Sequence, residues 1–147
     1  MIRFLIFIFL AFGSVILAVA LEGFNPINLI GFTSLLVALS IPVLSSFGVW
    51  KAAEVAAAWK DPFSKKKKDS FPVSMKILEF QEKLFYISSI VGTLLGLILV
   101  LCNIKAQLPI EKTFFGIAAT LICPLYGLFF AAIMRVMRAR IDNAISK

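Results

Sequence analysis

Four long apolar runs dominate the sequence and restrict it to membrane-embedded folds. They lie at about residues 2–21, 28–50, 84–104 and 113–134. A helix needs roughly 20 apolar residues to cross about 30 Å of hydrocarbon, so each run is long enough to span a bilayer. The 147-residue chain is 61% hydrophobic, with a mean hydropathy of +0.98, which excludes an ordinary soluble domain. We therefore predict an all-α membrane protein with four transmembrane helices.

The first run has a second interpretation. Arg3 precedes an apolar stretch that ends in Ala18, Val19 and Ala20, and this arrangement resembles a secretory signal peptide with a small-residue cleavage site. The run is longer than the apolar region of most signal peptides, which favours a transmembrane helix. We predict a transmembrane helix here and keep the cleaved signal peptide as the alternative.

Lysine and arginine are concentrated in two of the segments that flank the apolar runs. Segment 51–83 contains eight lysines, and the segment after residue 134 contains three arginines and one lysine. The links at 22–27 and 105–112 contain only two lysines between them. Because lysine and arginine are enriched in cytoplasmic loops, we predict a multi-pass protein whose two termini and 51–83 segment are cytoplasmic.

The net charge of +7 follows from this topology and does not indicate nucleic-acid binding. Acidic residues interleave with the lysines of segment 51–83, and the segment is too short to bury a core of its own. The run Lys65–Lys68 fits a solvated linker between Pro62 and Pro72, and a site for anionic membrane lipid is the alternative. The Ala-rich stretch before this linker predicts that the second helix continues into the cytoplasm, and Ser74 is a candidate N-cap for the helix leading into the third run.

The sequence lacks the residues that most enzymes and metal sites require. It contains no histidine and two cysteines, Cys102 and Cys123. These cysteines lie on different runs, about 15 Å apart along the helix axis at 1.5 Å per residue, so we expect neither a disulfide nor a zinc or haem site. No pair of carboxylates lies inside the runs to support hydrolysis. We predict a protein that is not an enzyme and has no cofactor or metal.

Small and weakly polar residues form a stripe on each of the last two runs. The members recur at helical spacing, so each set occupies one face of its helix. They are Ser89, Gly92, Thr93 and Gly96 in the third run, and Gly116, Ala119, Thr120, Cys123, Pro124 and Gly127 in the fourth. Small faces let helices approach closely in a membrane, so we assign the four glycines and Ala119 to helix packing. The five other members either pack in the same way or line an ion pathway against a partner helix.

No acidic residue lies inside the four runs, and Glu22 stands at the edge of the first. Acidic residues within a membrane mark proton relays and ion paths. If this chain forms part of a proton path, a second chain must therefore supply the carboxylate.

Three stretches of the sequence carry a resemblance to a known family. "IVGTLLGLILVLCNI", followed after a short link by "GIAATLICPLYGLFFAAI", resembles the paired third and fourth helices of the MotA/TolQ/ExbB proton-channel family. Flagellar stator members carry Gly-Thr-Leu-x-Gly-Leu and then Leu-Tyr-Gly near an Ala-rich end. "AVALEGFNPINLIGFTSLLVAL" resembles the first hairpin of the stator subunits. The order and spacing of these motifs make the family resemblance specific, and within the family the sequence most resembles the MotA-like stator subunits.

The resemblance implies an assembly and a set of partners. It implies a ring of five copies of this chain, in the bacterial inner membrane, around two single-span helices of a MotB/ExbD/TolR-like subunit, one of whose intramembrane Asp residues carries the proton or sodium ion. By position, Thr93 matches the threonine of the third helix, and Cys123 with Pro124 stands where sodium-type stators carry two threonines. A thiol is a weak donor and proline has no side-chain oxygen, so protons are favoured over sodium.

The domain organisation differs from that of the flagellar stators in its cytoplasmic part. Residues 1–50 form the first transmembrane hairpin, residues 51–83 a short basic cytoplasmic segment, and residues 84–147 the second hairpin with a basic tail. The stators insert a long cytoplasmic domain where this chain has 51–83. We therefore predict a compact stator-like subunit of a proton-driven channel or motor complex, which couples ion flow to mechanical work or envelope energy transduction. A non-conducting structural scaffold or assembly subunit is the alternative.

Overall fold

The computed structural model describes residues 32–64, 69–104 and 110–146, together with Gly13. All regular secondary structure in the described residues from 32 onward is helical. The elements are α1 (Phe32–Val49), α2 (Ala52–Lys60), a 3₁₀ turn (Asp61–Phe63), α3 (Phe71–Ile104) and α4 (Ile110–Ile145). The all-α fold class is confirmed for this part of the chain. Of the predicted first span, residues 2–21, the described residues include only Gly13, so this span stays a prediction.

Helices α3 and α4 are long and apolar enough to cross a membrane, and they pack as an antiparallel hairpin. The stretches that meet this test of length and composition are Phe71–Cys102 and Gly116–Ile145, and α1 contributes a shorter apolar stretch, Ser34–Val49. The helices run in opposite directions, because Phe85 stacks on Phe130 while Gly96 lies against Thr120. The predicted third and fourth spans therefore belong to helices that extend well beyond them at their charged ends.

The second helix does not continue into the charged segment as the sequence predicts. Helix α1 ends at Val49, and Lys51 is extended, with φ −65° and ψ 145°. The backbone N–H of Lys51 donates to Glu54 Oε2 at 3.0 Å, which satisfies one of the donors left free at a helix start. The spacing of Lys51 and Glu54 thus marks the start of a new helix, α2, and the prediction of one unbroken helix is wrong.

Ser74 is not the N-cap of the next helix, since α3 begins three residues earlier at Phe71. The hydroxyls of Ser70 and Ser74 each donate to Asp61 Oδ2 at 2.6 Å. Asp61 is buried in the 3₁₀ turn, and a buried carboxylate is stabilised by such donors. These bonds attach the 3₁₀ turn to the first turn of α3.

The α3–α4 hairpin has two halves of different construction. The basic half, residues 71–88 and 129–145, buries large side chains, among them Phe71, Ile77, Leu78, Phe85, Met134 and Ile141. Helix α2 packs on this half and buries Val55 and Ala58. The apolar half, residues 89–102 and 116–128, exposes most of its large side chains, including Leu94, Leu95, Leu99, Leu101, Leu121 and Leu128.

Candidate functional site

The glycines of the apolar half form a seam where α3 and α4 approach most closely. A Cβ added to Gly96 would lie 2.6 Å from Thr120 Cγ2, and one added to Gly92 would overlap the Cys123 thiol. At Gly127 an added Cβ would overlap Ser89 and lie 2.7 Å from the backbone oxygen of Phe85. Only glycine fits these positions without movement of a neighbour.

The two predicted stripes therefore face each other within one chain. Gly116 continues the seam, since a Cβ there would lie 2.9 Å from Val100 Cγ2. The side chain of Ala119 lies outside the described residues. Close approach of helices through glycine is the packing mode typical of membranes, and the seam accounts for all four glycines of the stripes.

A groove of about 440 Å³ runs beside the seam and opens to the surface. Helix α1 forms one wall with Ser34 and Val37, and the remaining lining comes from α3 and α4. The residues of the two stripes that line it are Gly92, Gly96, Gly116, Thr120 and Cys123. The small side chains that let α3 and α4 pack closely thus also leave this space beside them.

The hydroxyl groups of the stripes donate their hydrogen bonds within their own helices. Ser89 Oγ donates to the Tyr86 carbonyl, Thr93 Oγ1 to that of Ser89, and Thr120 Oγ1 to that of Ile117, each at 2.7 Å. A hydroxyl that donates to a carbonyl still has lone pairs that can accept a hydrogen bond. These hydroxyl oxygens can therefore accept a hydrogen bond from a neighbour without losing the bonds that they donate.

The five residues predicted for an ion pathway do not share one environment. Thr120 and Cys123 are buried and line the groove, whereas Ser89 is buried against Gly127. Thr93 and Pro124 are half-buried. The structure brings the first two together, and the pathway role of all five stays a prediction.

Cys123 also contacts α1, because its thiol lies 3.8 Å from the backbone oxygen of Ser34. Cys102 is exposed at the other end of the apolar half, and no disulfide joins these two described cysteines. The reactivity of the Cys123 thiol should therefore depend on how closely α1 and α4 pack.

Charged side chains of α3 and α4 meet at the basic half of the hairpin. Glu82 is buried, and its Oε1 accepts from Arg135 Nε at 2.8 Å while Arg138 Nη1 lies 3.7 Å from its Oε2. Arg138 also reaches Glu79 Oε2 at 3.5 Å, and Lys83 pairs with Glu79 at 2.9 Å. Two acids of α3 thus join two arginines of α4. The sequence does carry a signal for this cluster that the predictions above did not include, since acids three apart on α3 and arginines three apart on α4 each share a helix face.

The electrostatics of this cluster favour the charged form of Glu79. The hydrogen bond from Lys83 lowers the pKa of Glu79, and the positive charges of Lys83 and Arg138 lower it further. Glu79 lies before the apolar stretch at 84–104, on the charged side of the hairpin. The ion pairs therefore link the basic halves of α3 and α4. We call this cluster the charged clamp; its members are Glu79, Glu82, Lys83, Arg135 and Arg138.

A buried polar chain links three helices at the same end. Trp59 Nε1 of α2 donates to Gln81 Oε1 at 3.1 Å, and Gln81 Nε2 donates to Ser46 Oγ of α1 at 3.0 Å. Gln81 and Ser46 are fully buried. No sequence motif marked this chain, because its members are separated by up to 35 residues.

Comparison with known proteins places the hairpin in a family. A family model described as the MotA/TolQ/ExbB proton channel family matches residues 66–147, which include all of α3 and α4 and more than half of the chain. No curated protein and no solved structure matches the chain. The family resemblance found in the sequence is confirmed by this match. The resemblance of the first hairpin lies outside the matched residues and stays a prediction.

Proposed function

Because the chain belongs to the MotA/TolQ/ExbB proton channel family, we propose that it is a stator-like subunit of a proton-driven channel or motor complex. In this proposal, proton flow drives mechanical work or envelope energy transduction. A single-span MotB/ExbD/TolR-like subunit with an intramembrane Asp is the partner. The proposal assigns the chain itself no enzymatic chemistry and no cofactor.

The observation that carries the proposal is the groove beside the glycine seam. Its lining comes from helices α1, α3 and α4 and contains no acidic or basic residue among those described. Acidic groups within a membrane mark proton paths, and the apolar half has no carboxylate to offer. The small residues in its lining let a foreign helix approach closely and place side chains in the groove, so the missing carboxylate is best supplied by a partner helix that packs there.

The proposed assembly is a homo-oligomer, with a pentameric ring as the form that the family resemblance implies. The exposed leucines of the apolar half suit contact with lipid or with neighbouring subunits. We propose the bacterial inner membrane as the location, with four transmembrane helices and both termini in the cytoplasm. The basic residues of segment 51–83 and of the C-terminal tail support this orientation.

Within this assembly, Thr93 and Thr120 are proposed to accept hydrogen bonds from water or from the partner Asp. Each already donates to its own helix, so its oxygen is oriented and able to accept. Ionising a carboxylate in lipid costs several kcal/mol unless water and polar groups are close. Thr120 lines the groove but is buried in the seam, whereas Thr93 is half-buried and lies outside the groove lining. A change at Thr93 therefore tests the hydroxyl with less disturbance of the packing.

The experiment measures proton uptake into vesicles that contain the complex of this chain with its partner. Thr93→Val preserves the shape of the side chain and removes the oxygen, so we expect assembly to survive while proton flux falls. Thr93→Ser keeps the oxygen and is the matched control, with flux close to that of the natural chain. An Asp→Asn change in the partner should abolish flux. Full flux in Thr93→Val, or flux that ignores the partner Asp, would overturn the proposed pathway.

A second candidate function is a non-conducting scaffold or assembly subunit. It is favoured by the hydroxyls of Ser89, Thr93 and Thr120, which bond within their own helices as they do in purely structural packing. The vesicle experiment separates the two functions. A complex that assembles with its partner and shows no proton flux above empty vesicles would favour the scaffold.

A further inference from the structure

Helix α1 contains a break in its hydrogen bonding at Pro42. Proline has no backbone N–H, so the carbonyl four residues earlier loses its α-helical donor. That carbonyl belongs to Ala38, and both Ala38 and Pro42 are buried. A carbonyl without a donor is costly in an apolar surrounding, where water does not replace the missing bond.

Ser88 of α3 supplies a donor to this carbonyl. Its hydroxyl lies 3.2 Å from the Ala38 oxygen, across the interface between the helices, and 3.1 Å from the Phe85 oxygen of its own helix. A serine hydroxyl has one proton, so it bonds fully to only one of these acceptors at a time. The contact between α1 and α3 at this point therefore has two alternatives of similar geometry.

The two sides of Pro42 are held differently. On the side toward Val49, Ser46 Oγ donates to the Pro42 carbonyl at 2.6 Å and accepts from Gln81 Nε2 at 3.0 Å. On the other side, Ser34 and Val37 form a wall of the groove. The polar contact of this side with α4 is the weak one between the Cys123 thiol and the Ser34 oxygen, at 3.8 Å. One side is thus anchored to α3, and the other is held mainly by packing.

We propose that Pro42 is a hinge in α1 and that the Ser88 hydroxyl is its latch. Residues 32–41 move about Pro42 as a wall of the groove: the groove is narrow while Ser88 donates to Ala38, and it widens when Ser88 donates to Phe85 alone. One part of this proposal rests on the proposed function, namely that the partner helix binds in the groove. In that role, the latch sets how readily the groove admits this helix.

Cys123 provides the measurement, since its thiol is buried between α1 and α4. The full chain carries Cys102→Ser, which leaves Cys123 as the single thiol, and is alkylated with N-ethylmaleimide in detergent micelles. Ser88→Ala removes the latch, and we expect the rate of Cys123 alkylation to rise by about fivefold, the effect of losing one hydrogen bond of ordinary strength. Ser40→Ala is the matched control, because the Ser40 hydroxyl donates to Val37 in its own helix.

Pro42→Ala turns the experiment into a test of the mechanism. The alanine introduced by this change restores a backbone N–H for the Ala38 carbonyl, so Ser88→Ala should change the alkylation rate little in the Pro42→Ala background. An equal effect of Ser88→Ala in both backgrounds, or no effect in the Pro42 background, would overturn the latch. Ser88→Thr keeps the hydroxyl and should label like the natural chain.

Folding is monitored by circular dichroism in the same samples. If Ser88→Ala alone does not fold, the Pro42→Ala/Ser88→Ala double variant should regain the helical signal, and failure to regain it would also overturn the latch. Alkylation requires neither the partner nor proton flux. A failed flux experiment would therefore overturn the proposed function and leave the hinge result unaffected.

Discussion

The basic and apolar halves of the α3–α4 hairpin are built from the same two helices but are held together by different interactions. The basic half interlocks large side chains, such as Phe85 against Phe130, and adds the ion pair of Glu82 with Arg135. The apolar half brings backbones together at glycines and leaves its leucines exposed. The two helices are thus joined by a core of large side chains at one end and by close contact at glycines at the other.

The difference follows from the solvent each half is suited to. In water, burial of large apolar side chains drives packing. In lipid, no such force acts between helices, so close backbone contact and shape decide association. The comparison indicates that the basic half stabilises the single chain, whereas the outward surface of the apolar half is available to lipid and protein neighbours.

The largest expected effect comes from truncating the core of the basic half. Phe85 is fully buried, so Phe85→Ala should cost about 3–5 kcal/mol of unfolding free energy. Leu121→Ala in the apolar half is the control, because Leu121 is 59% exposed and a surface change costs within about 0.5 kcal/mol. Unfolding of the single chain in mixed detergents measures both. Equal costs would remove the distinction between the halves.

A smaller effect is expected from filling the seam. Alanine normally stabilises a helix over glycine by up to about 1 kcal/mol, but at Gly127 the new Cβ would meet Ser89 and the Phe85 backbone. Gly127→Ala should therefore destabilise the chain by about 1–3 kcal/mol. Gly48→Ala is matched in chemistry and has open space around its new Cβ, so it should be neutral or stabilising. The same assay measures both, and a stabilising Gly127→Ala would contradict the seam.

The polar chain of Trp59, Gln81 and Ser46 should contribute less to the unfolding free energy than the seam does. Gln81→Leu removes the bond that Ser46 Oγ accepts and the acceptor of the Trp59 indole N–H, while Ser46 still donates to the Pro42 carbonyl. A hydrogen bond of ordinary strength contributes about 0.5–1.5 kcal/mol. Part of this is offset because leucine is apolar and similar in size, so we expect the lower end of the range. Trp59 fluorescence during unfolding reports the loss, and Ser45→Ala serves as a control on the same turn of α1. A stability unchanged by Gln81→Leu would show that this chain does not hold α1 to α3.

The smallest effect concerns the exposed part of the charged clamp. The pKa of Glu79 is lowered from its usual 4.5 by Lys83 and Arg138. Since the folded pKa lies below the unfolded one, the stabilisation is complete above about pH 4.5 and is lost as the pH falls through the folded pKa. Glu79→Gln should remove this acid-dependent part, and salt should weaken it because the site is exposed. Unfolding curves at about pH 6 and about pH 3 measure it, and an identical pH slope in both proteins would contradict the assignment.

The sequence predicted much of the hairpin because local pattern determines it. Four apolar runs and the small residues at helical spacing indicated membrane helices that pack closely, and the family match over residues 66–147 confirms the family. The same local reasoning failed at Lys51 and Ser74. At Lys51, a new helix begins where the backbone N–H of Lys51 donates to the Glu54 side chain. Ser74 lies inside α3, and its hydroxyl donates to the buried Asp61 carboxylate.

The sequence by itself determined the class of protein: an apolar, all-helical chain whose stripes of glycine require a close neighbour. Only the tertiary structure decided which neighbour that is, because the antiparallel register of α3 and α4 places each stripe against the other. It also paired Ser88 with the Ala38 carbonyl and Glu82 with Arg135, across 50 and 53 residues. Periodicity within one helix sets which residues share a face, but it holds no information on which distant face will meet it. That choice is made when whole helices pack.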